Sequence, residues 1–320
     1  MRAIRIHVAG EERKLVMEDV PKPESRPDQV LVRVQAIGVN RADLGRGAAG
    51  GQPGEPVIPG LDAGGTVEAI GSEVTGWRVG DPVIALVRGA YAEYCPSRAV
   101  LAYRPPNGMS ITDAASIPCV FLTAWYALTK LGRLKSGETA LVHSAGSGVG
   151  TAAIQIAKAL GVRVLTSAGS DAKVARGLEL GAEAGVNYST QDVASELNRL
   201  TGGRGVDVVL DPVGGPIFDA TLRALAPGGR VVTVGGPAGP RSEVDQKALE
   251  DRGQRVQAMG VFNEAAEDIE GKGWAQLKSW FESGTMRPVV HQVLPWTQAE
   301  AAQRLLSDRA IFGKIVLTLD

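Results

Sequence analysis

Residues 138–161 read ETALVHSAGSGVGTAAIQIAKALG. An apolar run at 140–143 meets a turn of mostly small residues at 145–150, and an alanine-rich stretch with helical spacing follows at 150–160. Strand, tight turn and helix in that order make a βα unit. Amides exposed at a helix start attract a pyrophosphate, and absent side chains let it approach. In the register ending at Gly150 the first two glycine places of GxGxxG hold Ala145 and Ser147, so a purely structural turn is the competing reading. The flanks favour nucleotide binding, because another strand begins at 163, shortly after the helix. Ser147, Gly148, Val149 and Gly150 are therefore the candidate pyrophosphate contacts.

The second strand bears on which nucleotide is bound. An NAD site places an acidic residue about 20 residues after the turn, where it accepts from the ribose hydroxyls. Counting from Gly148 along VRVLTSAGSDAK (162–173), that place holds Ala168. Ser170 and Lys173 follow, a hydroxyl donor and a positive charge suited to a 2′-phosphate. The reading is NADPH over NADH, and Asp171 keeps the other open if the loop shifts to bring its carboxylate into that place.

Outward from this unit the βα alternation continues through a strand at 163–166, a helix at 172–180, a strand at 207–210, a helix at 218–225 and a strand at 231–234. Right-handed double winding about a parallel sheet is the expectation. Before it, residues 1–116 read as short Val- and Ile-rich strands (29–39, 65–70, 81–87) separated by Pro and Gly, which suggests a compact, barrel-like β lobe. A helical pattern covers 112–131. After about residue 262 come helical stretches at 273–283 and 298–307, an extended stretch at 289–294 and a terminal strand at 314–319. A lone strand is unstable by itself, so this one is expected to return to the first lobe. The tryptophans at 274, 280 and 296 are expected to serve packing.

Composition removes several classes. The 320 residues carry 34 Lys and Arg against 35 Asp and Glu, with no basic stripe for a nucleic acid. Two cysteines, Cys95 and Cys119, allow neither a disulfide framework nor a four-cysteine zinc lobe. The first 20 residues alternate like an edge strand and lack a signal-peptide core, and no apolar run reaches membrane-spanning length. A cytoplasmic protein is expected.

Eight stretches carry a resemblance in family order: AIGVNRADLGRG, PGLDAGGTVEAIGSEVTGWRVGDPV, AASIPCVFLTAWYAL, HSAGSGVG, TSAGSDAK, GAEAGVNY, GVDVVLDPVGG and GKIVL. The chain resembles the medium-chain dehydrogenase/reductase superfamily and, within it, the zinc-independent, zeta-crystallin-like quinone oxidoreductase branch, whose turn HGASGGVG is matched by HSAGSGVG. The resemblance implies a Rossmann-type doubly wound parallel sheet (residues 119–261) inserted into a GroES-like β-barrel catalytic domain (1–118 and 262–320). It also implies a homodimer joined through the nucleotide-domain sheet. In zinc-bearing relatives the ligands stand at the positions of Asn40, Leu61 and Cys119. Here only the cysteine remains, and one ligand cannot hold tetrahedral zinc. No metal is expected.

Without zinc, alcohol oxidation becomes hard, whereas hydride delivery to a quinone or an α,β-unsaturated carbonyl needs only modest stabilisation of the oxygen. The resemblance places Asn40 and Asp43 near the nicotinamide and substrate oxygen. Asn40 would offer an amide donor, and Asp43, with Arg41 beside it, would orient the loop or act directly. Both could equally cap a turn. By the same resemblance Thr123 touches the carboxamide, Tyr188 joins Lys173 at the 2′-phosphate, and Gly235, Asn263 and Lys314 line the cofactor groove. Cys119, with apolar flanks, reads as packing. The Gly-rich loop 44–53 suggests an open pocket wall. The rivals are an enone or alkenal reductase with little quinone activity and a non-catalytic NADPH-binding protein.

Overall fold

The computed structural model describes residues 1–9, 12–45, 55–235 and 245–319. The loop 44–53 therefore lies largely outside the described residues. The chain divides into two compact units, Met1–Cys119 with Ala265–Asp320, and Val120–Glu264.

The first unit opens with the hairpin β1 (Arg2–Ala9) and β2 (Glu12–Asp19). Five strands follow: β3 (Gln29–Val39), β4 (Asp62–Ile70), β5 (Pro82–Leu86), β6 (Tyr94–Arg98) and β7 (Ala102–Tyr103). Along β3 the residues QVLVRVQAIGV turn Arg33 and Gln35 outward and bury the valines and isoleucine, as a half-covered strand requires. Helices α1 (Ile111–Ala114) and α2 (Pro118–Tyr126) lead into the second unit.

There the order is β8 (Thr139–His143), α3 (Gly148–Ala159), β9 (Arg163–Ala168), α4 (Asp171–Leu180), β10 (Ala184–Asn187), α5 (Val193–Leu200), β11 (Val206–Asp211), α6 (Gly215–Arg223), β12 (Leu225–Thr233), α7 (Gln246–Glu250), β13 (Arg255–Ala258) and α8 (Val261–Glu267). All pairings in this six-stranded sheet are parallel, in the order β10-β9-β8-β11-β12-β13. That is the doubly wound dinucleotide order, with its switch point between β8 and β11. Every residue of β8 and β11 is buried, as strands covered on both faces must be. Leu141, Leu165, Val209, Phe218 and Val231 form the core. Five elements of this unit were unassigned from sequence: β10, α5, α7, β13 and α8.

The return comprises α9 (Lys272–Glu282), β14 (Val290–Pro295), α10 (Ala299–Ser307) and β15 (Lys314–Thr318). β15 pairs antiparallel with β3, Ile315 opposite Val39, so the last strand does rejoin the first lobe. Trp296 and Trp274 are buried, Trp296 in the core with Val32, Ile37, Val67 and Leu317. The expected fold class is borne out: a GroES-like β unit with a Rossmann-type parallel sheet inserted in its chain. Among the described residues no helix is long and apolar enough to cross a membrane.

Candidate active site

In the first unit three neighbouring strands bring polar side chains into one buried cluster. The β15–β3 register carries Lys314 to the level of Asn40, one step past the Ile315–Val39 pair, and the β3–β4 register sets Asp62 opposite Gly38. Lys314 is 5% exposed and Asp62 fully buried. The Lys314 ammonium donates to Asn40 Oδ1 at 2.7 Å and to Asp62 Oδ2 at 3.0 Å. Asp62 Oδ2 also accepts from Asn40 Nδ2 at 2.9 Å, and its Oδ1 accepts the Cys119 backbone N–H at 2.6 Å. A buried carboxylate is tolerable only when its lone pairs are met in this way.

Asn40 caps the one-turn 3₁₀ helix Arg41–Leu44, and Asp43 is its third residue. Asp43 Oδ2 accepts the Asn40 backbone N–H at 2.8 Å, the reciprocal half of a capping box. Tyr91 donates its hydroxyl to the same oxygen at 3.4 Å. Asp43 is 1% exposed and its Oδ1 has no hydrogen-bond partner. Burial pushes its carboxyl up to about 7, against the pull of the Asn40 N–H and of Lys314. Burial likewise drives the Tyr91 phenol well above its ordinary value, helped by the charge of Asp43. Arg13 Nη2 bonds Gln303 Oε1 at 2.7 Å and the Asp43 carbonyl at 3.2 Å, and Arg41 Nη1 reaches the Leu306 carbonyl at 3.0 Å, so β2 and α10 brace the turn.

This geometry bears on two expectations. Asn40 Nδ2 already donates to the Gly38 carbonyl at 2.9 Å as well as to Asp62, so both its hydrogens are committed and the amide is not a free donor for a substrate oxygen. Lys314, expected along the cofactor groove, is drawn by the strand register into an ion pair with Asp62. Asp62, Tyr91, Gln303 and Arg13 were not singled out from sequence. Asp62 opens a strand that also carries Thr66 and Glu68, so its charge alone did not mark it.

In the second unit the glycine-rich turn opens α3. Ser147 is the helix cap: its Oγ accepts the Gly150 N–H and donates to the Ser144 carbonyl, each at 2.9 Å. Its hydroxyl is therefore spent on the turn, and its N–H bonds the Ser144 carbonyl at 2.8 Å. The expected Ser147 contact is corrected accordingly, leaving the first-turn amides of Gly148 and Val149 for a ligand. A Cβ at Gly150 would lie 2.1 Å from the Ser144 carbonyl oxygen, so only glycine fits.

At the carboxyl ends of β9 and β10, residues 168–173 and 187–189 come together. The Tyr188 N–H bonds the Ala168 carbonyl at 3.0 Å, and a Cβ at Gly169 would meet the Tyr188 ring at 3.1 Å. The Ser189 hydroxyl bonds the Gly169 carbonyl at 3.0 Å. Ser170 caps α4 by accepting from the Lys173 N–H at 3.4 Å, which leaves its own hydroxyl hydrogen as a donor. Asp171 Oδ1 accepts from Asn187 Nδ2 at 2.8 Å, which ties the one carboxylate of this loop to β10. These residues fit an adenosine ribose that carries a 2′-phosphate. Thr123 is buried on α2, Gly235 ends the stretch after β12, and Asn263 is exposed on α8 with its N–H on the Gly260 carbonyl.

The donor set does not suit zinc. Of Asn40, Leu61 and Cys119 only the thiol is a ligand of the right chemistry, and a buried ammonium stands against Asn40 and Asp62. Among the described residues no group of three or more His, Cys, Asp or Glu is arranged to hold a metal.

Residues 26–109 match the family model of the alcohol dehydrogenase GroES-like domain, and residues 148–276 that of the zinc-binding dehydrogenases. A GroES-like unit with a dinucleotide-order sheet inserted in its chain defines the medium-chain dehydrogenase/reductase class. The chain is 32% identical to the quinone oxidoreductase of Sus scrofa over 325 residues, covering 100% of this chain and 98% of the relative. Among solved structures, a mycobacterial protein complexed with NADPH is 33% identical with a TM-score of 0.90, covering 99% of this chain and 100% of that one. The CurK enoyl reductase is 26% identical with a TM-score of 0.84, covering 99% of each. The chain belongs to the quinone oxidoreductase-like branch of the medium-chain dehydrogenases/reductases.

Proposed function

We propose that the chain is a zinc-independent, NADPH-dependent reductase that transfers hydride to quinones or α,β-unsaturated carbonyls. The observation that carries the zinc-free reading is the Asn40–Asp62–Lys314 cluster, in which a fixed ammonium, the Asn40 amide and the Cys119 N–H already occupy the oxygens of the one carboxylate. The full-length relationship to a quinone oxidoreductase supports the substrate class.

When bound, the dinucleotide supplies the hydride. The Gly148 and Val149 amides hold its pyrophosphate, and Ser170, Lys173 and Tyr188 its 2′-phosphate. Thr123, Gly235 and Asn263 are proposed as further cofactor contacts. Lys314 has three N–H donors and two recorded acceptors, so one hydrogen remains for the oxygen that becomes negative as hydride arrives. Asn40, locked by Lys314 and Asp62, fixes that ammonium, and Asp43 holds the Asn40 backbone in turn. The exposed strand β13, at one edge of the parallel sheet, supports a homodimer.

The test is NADPH oxidation by chelator-treated protein with a simple quinone and a straight-chain enone side by side, with the products identified. The expected result is turnover of the quinone at a rate that chelation leaves unchanged. Turnover of the enone alone would favour the second reading, which the likeness to an enoyl reductase supports. Activity lost on chelation and restored by zinc would overturn the zinc-free reading, and no turnover with either acceptor while NADPH binds would overturn the enzyme reading. Cofactor choice has its own test: Lys173→Ala is expected to weaken NADPH about tenfold while NADH changes less than about twofold. Equal weakening of the two would remove Lys173 from the 2′-phosphate site.

A further inference from the structure

Ser144, directly after β8, has φ +60, a left-handed conformation that a residue with a side chain adopts at a cost. The quinone oxidoreductase turn that this stretch resembles has glycine in that place. Ser144 is also the hub of the turn, because its carbonyl accepts both the N–H and the hydroxyl of Ser147 and packs against Gly150. Such a conformation persists only where its surroundings over-determine it.

The surroundings are specific. On one side the Ala145 N–H bonds the Ser167 carbonyl at 2.9 Å. On the other, the fully buried His143 ring lies between two hydroxyls, with Nδ1 2.6 Å from Ser167 Oγ and Nε2 2.7 Å from Thr221 Oγ1. The Thr221 hydroxyl donates its only hydrogen to the Ile217 carbonyl at 2.7 Å, so towards His143 it can only accept. The ring must therefore carry its proton on Nε2, and Nδ1 accepts from Ser167. Ser167 thus grips the chain on both sides of Ser144, by side chain at 143 and by backbone at 145, while Thr221 anchors the ring to α6. His143 ends β8, at the switch point where β11 ends in Asp211. The Asp211 Oδ1 accepts the Val213 and Gly214 N–H groups, and burial keeps the imidazole neutral against the pull of that carboxylate.

We propose that His143, held as the Nε2–H tautomer between Ser167 and Thr221, is a positioning residue that fixes the left-handed turn at Ser144 and so shapes the pyrophosphate cradle. The proposal rests on the reading of this turn as the dinucleotide site. His143→Phe keeps the ring and loses both bonds, and it is expected to raise the Kd and KM for NADPH about tenfold with kcat within about twofold. His143→Gln, which can accept from Ser167 and donate to Thr221, is expected to recover most of the affinity. Because glycine takes positive φ unaided, adding Ser144→Gly to His143→Phe is expected to restore binding as well. In the unaltered protein, long-range ¹H–¹⁵N NMR is expected to show Nε2 protonated and Nδ1 bare. Unchanged NADPH affinity in folded His143→Phe, failure of Ser144→Gly to rescue it, or the opposite tautomer would overturn the proposal. If His143→Phe does not fold, Thr221→Val removes one of the ring's partners at nearly constant shape, and unchanged affinity there is equally fatal. Failure of the unaltered protein to bind any dinucleotide would instead overturn the site reading, while the NMR result still decides the tautomer.

Discussion

Lys314→Met is expected to destabilise the protein by about 3–5 kcal/mol, because it removes one partner of a buried ion pair and leaves the other charge in place. Asp62 has no solvent access, and of the three donors it now has, only Asn40 Nδ2 and the Cys119 N–H would remain. Asn40 Oδ1 would lose its recorded donor at the same time. Surface pairs such as Lys247–Asp251, whose side chains are 84% and 65% exposed, offer no comparable effect, since water replaces either partner cheaply. Urea unfolding gives the measurement, with the midpoint falling while the slope holds. The double change Lys314→Met with Asp62→Asn removes both charges and is expected to return about half of the loss or more. A loss below about 1 kcal/mol for the single change would place the pair with surface bridges and remove the reason for treating the cluster as a preorganised charge.

That pair also shows where sequence stops being informative. The βα unit at 138–161 is local: strand, turn and helix lie within 24 consecutive residues, and the turn reads directly. Lys314 and Asp62 are 252 residues apart and meet only through the registers β15–β3 and β3–β4, which no local pattern encodes. In DAGGTVEAI nothing sets Asp62 apart from the half-buried Glu68, and its partner lies far along the chain. Strand β10 was missed because AGVN is four residues long and half glycine and asparagine, too short to show a period. Helix α5 had a usable signal that went unread: Asp192 caps it through the Ser195 N–H, and Val193, Leu197 and Leu200 follow helical spacing. At the ribose end, the alternative offered by Asp171 depended on loop geometry. In the fold that carboxylate accepts from Asn187 Nδ2, because β10 lies parallel to β9 with Asn187 beside Ala168. Ser147 illustrates the opposite case, a residue rightly placed in the turn whose hydroxyl is consumed by the cap it forms.

Asp43→Asn is expected to flatten the decline of stability with rising pH. Burial holds the Asp43 carboxyl at about 7 in the folded protein against an ordinary 3.8, so between those values the folded chain keeps a proton that the unfolded chain releases. The favourable contribution is full below about pH 4 and is lost as pH rises through 7. At 1.36 kcal/mol for each unit, the loss amounts to at most about 4 kcal/mol. Asparagine does not titrate, yet its side-chain oxygen can still accept the Asn40 N–H that Asp43 Oδ2 now takes. Lys314 lessens the penalty on the charged form and Asp62 adds to it, and both persist in the variant. His143 acts in the other direction: burial lowers its pKa, so its contribution is lost as pH falls through the ordinary value of 6.5. That loss is common to both proteins and cancels in their difference. Urea midpoints measured from pH 5 to pH 8 should therefore show the variant gaining on the parent by about 2–4 kcal/mol across the range. A difference independent of pH would mean that Asp43 stays ionised throughout. Its partnerless Oδ1 would then have to find a donor that the folded structure does not record.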